Sequence, residues 1–366
     1  MVSPTRPSTV KDIAAALGVS VMTVSRALNG HPAVAEQTRR LVLQKAAELN
    51  YRPNRLARSL VTSRSWMIGL IVPDISHTYY SEITRGAQEV LREAGYHLLL
   101  CMSNRDARTE IEEINVLLST RCEGLLVVSE QRESSAAMFA EIRRQRVPVV
   151  LIDRFFETLD CSYATTDDHR VGYLAAQHMI GLGHRRIAFL RGPDVSAARL
   201  RLKGFLAALA DHGIPLPEEY LEQGQFRFAE SHAATLRLLA LAAPPTAIVA
   251  ANDISAFGAI RACRDAGFEV PVQVSVMGAG NVEGDQHPNP FLTTIAWDRL
   301  ELGREAARLL LAHLASPDQP QLIRRFPPEL LVRHSTSPPA RREPPPKSET
   351  SRSAATTKLE RSVNTG

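Results

Sequence analysis

From residue 67 to residue 277 the chain alternates short apolar runs with stretches long enough for a helix. The runs cover 67–72, 97–101, 124–128, 149–152, 187–190, 247–250 and 274–277. A strand that is apolar at almost every position is buried on both faces, as parallel sheets covered by helices require. The pattern predicts an α/β fold of parallel sheets flanked by helices. Ligands of open parallel sheets bind beyond the carboxyl ends of the strands. The residues after these runs are therefore the candidate binders: Tyr79 and Tyr80, Asp153, Arg201, Phe226, and Asn252 with Asp253. Aromatic rings suit the face of a sugar or base, and Asp, Asn and Arg can fix hydroxyls or an anion. Helix capping is the competing use of Asp153 and Asp253.

Ahead of this core, residues 9–29 read as two short helices joined by a turn. Thr9 and Asp12 have the spacing of a capping box, and Val10, Ile13, Ala14 and Leu17 form one apolar stripe. Gly18 permits the turn, and Ser20 is placed to cap a second helix whose inner face holds Val24 and Leu28. Its outer face presents Val21, Met22, Thr23, Ser25, Arg26 and Asn29. Such a helix-turn-helix can enter a major groove, where Arg26 suits guanine O6 and N7, and Val21 or Met22 suit thymine methyls. Thr23, Ser25 and Asn29 suit phosphates. An ordinary helical hairpin is the bland alternative, and charge argues against it. Residues 1–65 hold ten Lys or Arg against three Asp or Glu, whereas 66–336 hold 27 against 33. Positive charge is concentrated where a polyanion would be met.

A third helical pattern over 38–49 turns Val42, Ala46 and Leu49 inward. It is followed by Tyr51-Arg52-Pro53-Asn54-Arg55-Leu56-Ala57-Arg58-Ser59-Leu60, a short helix candidate with proline at its start. Eight residues are too few to be helical unaided. DNA and a second copy can hold them, Ala57 allowing close helix approach and Leu60 wedging into the minor groove. A flexible basic linker is the other reading. Cys101, Cys122, Cys161 and Cys263 lack Cys-x-x-Cys spacing and are expected to be structural thiols in a reducing cytoplasm. No signal peptide or transmembrane segment is expected.

The series Val10-Lys11-Asp12-Ile13-Ala14, Val19-Ser20, Thr23-Val24-Ser25-Arg26, Leu28-Asn29-Gly30, Tyr51-Arg52-Pro53-Asn54, Leu56-Ala57-Arg58-Ser59-Leu60 and Ile68-Gly69-Leu70-Ile71-Val72-Pro73 closely resembles the LacI/GalR family of bacterial transcriptional regulators. The resemblance runs to about Ser335. It implies a helix-turn-helix domain over 1–51, a hinge over 52–65 and a two-lobed, periplasmic-binding-protein-like core over 66–336. The N-lobe would span 66–165 and 297–325, and the C-lobe 166–296 and 326–336. It further implies a repressor that binds a palindromic double-stranded DNA operator as a homodimer. Val21, Met22 and Arg26 would read bases, Asn54, Ala57 and Leu60 would act at the hinge, and Tyr79, Tyr80, Asp153, Arg201, Phe226 and Asn252 would contact an effector between the lobes. That effector would be a sugar, sugar derivative, acid or nucleobase.

Two departures stand out. Where the family usually carries a carboxylate after its Val-Ser-Val strand, this chain has Gly278-Ala279-Gly280-Asn281, leaving Asn281, Glu283 or Asp285 as substitutes. Where family members often have Asn-Pro, it has His77-Thr78.

Other classes fare worse. Glycines at 278, 280 and 284 suggest a dinucleotide loop, but His287-Pro288-Asn289-Pro290 breaks the helix such a loop must open. Asp167-Asp168-His169 and His184-Arg185-Arg186 look like helix-end residues, not acid-base pairs. With no Walker, His-Glu-x-x-His or Gly-x-Ser-x-Gly motif, neither enzyme activity, cofactor nor metal is expected. An exported solute-binding protein would not need the basic first sixty residues. From residue 337 the chain is rich in Pro, Ser, Thr and charge, so a disordered tail is expected, without the apolar heptads of a tetramerising coil.

Overall fold

The computed structural model describes residues 8–51, 64–76, 78–284 and 288–340. Asn54, Ala57, Leu60, His77 and Asp285 lie outside the described residues, as does the tail after 340.

Three helices make the N-terminal unit: α1 (Val10–Leu17), α2 (Val21–Leu28) and α3 (Glu36–Glu48). Asp12 accepts the Thr9 N–H at 2.7 Å, closing the capping box, and Gly18 ends α1 in the left-handed region at φ 64°. Ile13, Ala14, Val24, Ala27, Val42 and Ala46 form its buried core. The third helix starts two residues before the periodic pattern does, with Glu36 in its first turn facing Arg39 and Arg40.

Among the described residues, the rest of the chain builds two six-stranded sheets. Into the first run β1 (Met67–Val72), α4 (Thr78–Glu93), β2 (His97–Met102), α5 (Ala107–Ser119), β3 (Gly124–Val127), α6 (Ala136–Arg144), β4 (Val149–Ile152) and β5 (Ser162–Thr166). The chain then crosses into a second unit: α7 (Asp168–Gly181), β6 (Ile187–Arg191), α8 (Ser196–Asp211), β7 (Leu221–Gln223), α9 (Phe228–Leu239), β8 (Ala247–Ala250), α10 (Asp253–Asp265), β9 (Ser275–Ala279) and β10 (Thr293–Ala296). It returns with α11 (Arg299–Ala315) and β11 (Ile323–Phe326), and β12 (Glu329–Leu331) crosses once more. The sheet orders are β11-β5-β4-β3-β1-β2 and β12-β10-β9-β8-β6-β7, parallel except where β12 runs antiparallel to β10. Each sheet with its helices is one lobe.

Hydropathy alone misses β5 and β10, because Ser-Tyr-Ala-Thr-Thr and Thr-Thr-Ile-Ala are not apolar runs. Both are nevertheless mostly buried, since their hydroxyls find partners: Thr165 donates to the Asp153 carbonyl at 2.9 Å and Thr294 to the Asp253 carboxylate at 2.6 Å. The short or edge strands β7, β11 and β12 are missed for another reason, lacking a buried apolar face.

In each lobe two helices cross through paired glycines. A Cβ on Gly86 would lie 2.0 Å from the Leu300 carbonyl oxygen, and one on Gly303 would lie 2.0 Å from that of Ile83, so α4 and α11 touch backbone to backbone. Gly172 and Gly204 do the same for α7 and α8. These contacts fix the helices that carry Tyr79, Tyr80 and Arg201.

The order of the core extends past 336. The Ser337 N–H donates to Ser275 Oγ at 3.0 Å and its hydroxyl to the Pro271 carbonyl at 3.1 Å. The expectation of a disordered tail starting at this residue is thus corrected; buried His184, bonded to Thr246, Ser275 and Ser337, helps hold it. His184 is a packing residue of the second lobe.

Candidate functional site

The second helix, α2, presents its outer face as the sequence spacing requires. Ser20 Oγ accepts the Thr23 N–H at 3.0 Å, fixing the helix start. Val24 and Ala27 are buried, while Val21 and Met22 are 45% and 62% exposed. Leaving two large apolar side chains in water beside Arg26 makes sense where they meet a groove. Ser25 and Arg26 are exposed. Two of the proposed phosphate contacts have local work to do: the Thr23 hydroxyl lies 2.8 Å from Ser20 Oγ, and Asn29 Nδ2 donates to the Ser25 carbonyl at 2.8 Å.

Between the lobes, the six residues proposed to contact an effector all line one cavity, with Arg105, Ile254, Ala279 and Val282 beside them. Tyr79 and Tyr80 come from the first turn of α4, Asp153 from the end of β4, Arg201 from α8, Phe226 from the loop after β7, and Asn252 from the end of β8. The space enclosed is about 40 Å³. Ligand sites commonly measure ~300–1,000 Å³, so this part of the cleft is narrow.

The polar groups are held tightly. The Tyr79 phenol donates to Asp153 Oδ1 at 2.5 Å, and burial with the neighbouring Asp153 carboxylate raises the phenol far above its ordinary range. It stays a donor. Arg201 Nε meets Asp168 Oδ1 at 2.8 Å, and its Nη1 donates to the Ala251 carbonyl at 2.8 Å. Burial pushes the Asp168 carboxyl up to about 6, against the pull of the Arg201 guanidinium. Asp167, not Asp168, caps α7, accepting the Arg170 N–H at 3.0 Å. Asn252 caps α10 through the Ser255 N–H at 2.9 Å, leaving its amide nitrogen for a ligand. Asp253 lies below the cavity, taken by Thr294 and by the Val282 N–H at 2.7 Å.

Asp153, Gln225 and Phe226 adopt left-handed backbone at φ 65°, 54° and 56°, as does Arg105 at 60°. Such conformations cost non-glycine residues of order 1–3 kcal/mol each and concentrate at functional sites.

At Gly280 the structure answers the missing carboxylate. Its φ of 122° suits only glycine, and its carbonyl accepts from Arg299 Nη1 at 2.7 Å. Arg299 is in turn paired with Glu82 at 2.8 Å. Neither described substitute takes over: Asn281 Oδ1 accepts from Arg333 at 2.7 Å, and Glu283 accepts the Leu292 N–H at 2.9 Å. Thr78, the second departure, donates its hydroxyl to the Val282 carbonyl at 2.7 Å, a bond from one lobe to the other that proline has no donor to make.

Sequence reasoning overlooked Arg105 and Trp297. Arg105 follows the missed end of β2, where the position after each strand was the available signal. Trp297 stacks edge-on against Tyr79 with centroids 5.8 Å apart and lies under Arg201, 5.1 Å from its guanidinium carbon.

Comparison with known proteins agrees with this geometry. Residues 9–54 match the model for bacterial regulatory proteins of the lacI family, and residues 176–336 match a periplasmic binding protein-like domain. Over 334 residues the chain is 34% identical to the HTH-type transcriptional regulator DegA of Bacillus subtilis (strain 168), covering 90% of this chain and 98% of that protein. It is 33% identical to the HTH-type transcriptional repressor PurR of Mannheimia succiniciproducens, with the same coverage. Similar solved structures include the lac repressor dimer bound to operator and the anti-inducer ONPF (29% identity, TM-score 0.80, 91% of this chain and 100% of that chain). Another is the CelR-cellobiose complex (30% identity, TM-score 0.68, 90% and 100%). The chain belongs to the lacI family of bacterial regulatory proteins.

Proposed function

We propose that this protein is a DNA-binding transcriptional repressor that acts as a homodimer on a palindromic operator in the cytoplasm, under control of a small-molecule effector in the cleft. The observation that carries the reading is the exposed face of α2, with Val21, Met22 and Arg26 beside one another on a helix capped by Ser20. Two such helices in a dimer would meet successive major grooves one helical turn apart. Asn54, Ala57 and Leu60 would engage the minor groove between them. The cleft supplies the control: a ligand gripped by both lobes favours their closed arrangement, and a preference of that kind is what couples two sites. We read the protein as a regulator and not an enzyme because the relatives it matches over nearly their whole length are transcriptional regulators.

Selection from random duplex DNA with the full-length chain tests the reading. The expected result is enrichment of a sequence with two inverted half-sites, bound with a steep dependence on salt. Binding that never rises above the affinity for random duplex would overturn it.

A further inference from the structure

Next to the aromatic cavity lies a space of about 610 Å³ with walls from both lobes. The first lobe contributes Arg105, Glu130 and Arg132; the second contributes Arg191, Asp194 and Arg199. Its carboxylates are spoken for. Glu130 pairs with Arg154 at 2.9 Å and Asp194 with Arg199 at 3.1 Å. Two of the four guanidiniums are also satisfied, since Arg105 pairs with Asp74 at 2.6 Å and Arg199 reaches Glu133 at 3.4 Å as well as Asp194. Arg132 and Arg191 differ: among the described residues neither has a carboxylate within ion-pair distance. Arg191 is met by the neutral carboxamide of Gln223, which, turned with its oxygen toward the guanidinium, accepts at 2.7 Å. Arg105 lines both this space and the narrower cavity, so the two adjoin.

We infer that the effector is a small anion, a phosphate monoester or a carboxylate, whose charged group is taken up by Arg132 of one lobe and Arg191 of the other while its body reaches toward Tyr79 and Phe226. This rests on the regulatory reading of the cleft. A guanidinium presents a fork of donors that matches phosphate or carboxylate oxygens, and charge-assisted bonds of this kind are the strong ones. Arg132 is exposed and Arg191 half-buried, and a neutral sugar offers neither guanidinium an anionic partner. An anion shared between them gains both contacts only in the closed arrangement, and a ligand shifts an equilibrium by its preference for one state.

The experiment uses the full-length chain and its Arg132→Gln, Arg191→Gln and doubly substituted forms. Inorganic phosphate probes the charged group alone, read as protection from thermal unfolding. Calorimetric titrations compare glucose with glucose 6-phosphate and with gluconate, so that the phosphate and carboxylate arms are separated. Phosphate should protect the wild type and not the double variant. The preferred charged sugar should bind at least about tenfold more tightly than glucose, with each single substitution costing roughly tenfold. Protection by phosphate that is absent in the wild type, or undiminished in the double variant, overturns the inference, as does glucose binding as tightly as both anions. Operator selection is read separately on the wild type: failure there removes the regulatory reading, whereas failure of phosphate protection removes only the anion site.

Discussion

Ser196 Oγ accepts the backbone N–H of Phe155 at 2.9 Å, and the bond spans the two lobes. Phe155 follows β4 in the first lobe, and Ser196 opens α8 in the second. Thr78 and Val282 make a second link of this kind at 2.7 Å, and Arg199 and Glu133 a third at 3.4 Å. All three join protein groups directly and act as latches between the lobes.

Loosening the latches should open the cleft. Ser196→Ala combined with Thr78→Val removes two neutral hydrogen bonds, each worth roughly 0.5–1.5 kcal/mol net. Small-angle scattering should report a larger radius of gyration for the double variant, with native circular dichroism. Identical scattering curves would show that these bonds do not hold the lobes together.

Arg26→Ala should separate reading from general attraction. Loss of a bidentate guanine contact should weaken operator binding by about 1–3 kcal/mol and leave binding to random duplex nearly unchanged. Fluorescence anisotropy on both duplexes measures the two terms, and an equal loss on each would assign Arg26 to the phosphates.

Glu110 should give stability a distinctive pH dependence. Its buried carboxyl accepts from the Ser129 hydroxyl at 2.7 Å and from the Glu130 N–H at 2.5 Å, yet burial outweighs these bonds and raises it to about 7. Between the ordinary glutamate value and about 7, the folded chain keeps a proton that the unfolded chain has released. The stabilisation is therefore full below the ordinary value and is lost as pH rises through about 7, amounting to roughly 3 kcal/mol over that window. Glu110→Gln cannot titrate. Urea midpoints compared between about pH 5 and pH 8 should fall more steeply for the wild type than for the variant; parallel curves would exclude Glu110 as the source.

Gly204→Ala should be strongly destabilising although it adds one methyl group. The new Cβ would lie 1.9 Å from the His169 carbonyl oxygen, which belongs to helix backbone and has little room to yield. Overpacking of this kind costs about 1–3 kcal/mol or more. Denaturant unfolding measures the loss, and a stability within experimental error of wild type would mean that α7 and α8 can slide apart freely.

How far the sequence could be read follows the range of the interactions involved. The helix-turn-helix is legible because its determinants are local: a cap at Ser20, a left-handed glycine at Gly18, and an apolar stripe whose members sit three or four residues apart. The cleft residues are legible for a different reason, since the end of a buried parallel strand is a place that topology marks out in advance.

Residues whose surroundings come from far along the chain could not be read in this way. The Thr166 hydroxyl is satisfied by the Phe326 carbonyl, 160 residues away, and Arg304 finds Glu89 at 215, so neither burial nor pairing leaves a periodic trace. By itself the sequence determined two short helices joined by a turn, a layered α/β core and which strand ends face a cleft, because caps, turns and hydrophobic periods act within a few residues. Only the tertiary structure decided that Ser196 latches onto Phe155, that Arg299 grips the Gly280 backbone, and that Arg132 and Arg191 line one space without carboxylate partners among the described residues. Those relations depend on where two lobes bring distant charges and hydrogen-bond partners together.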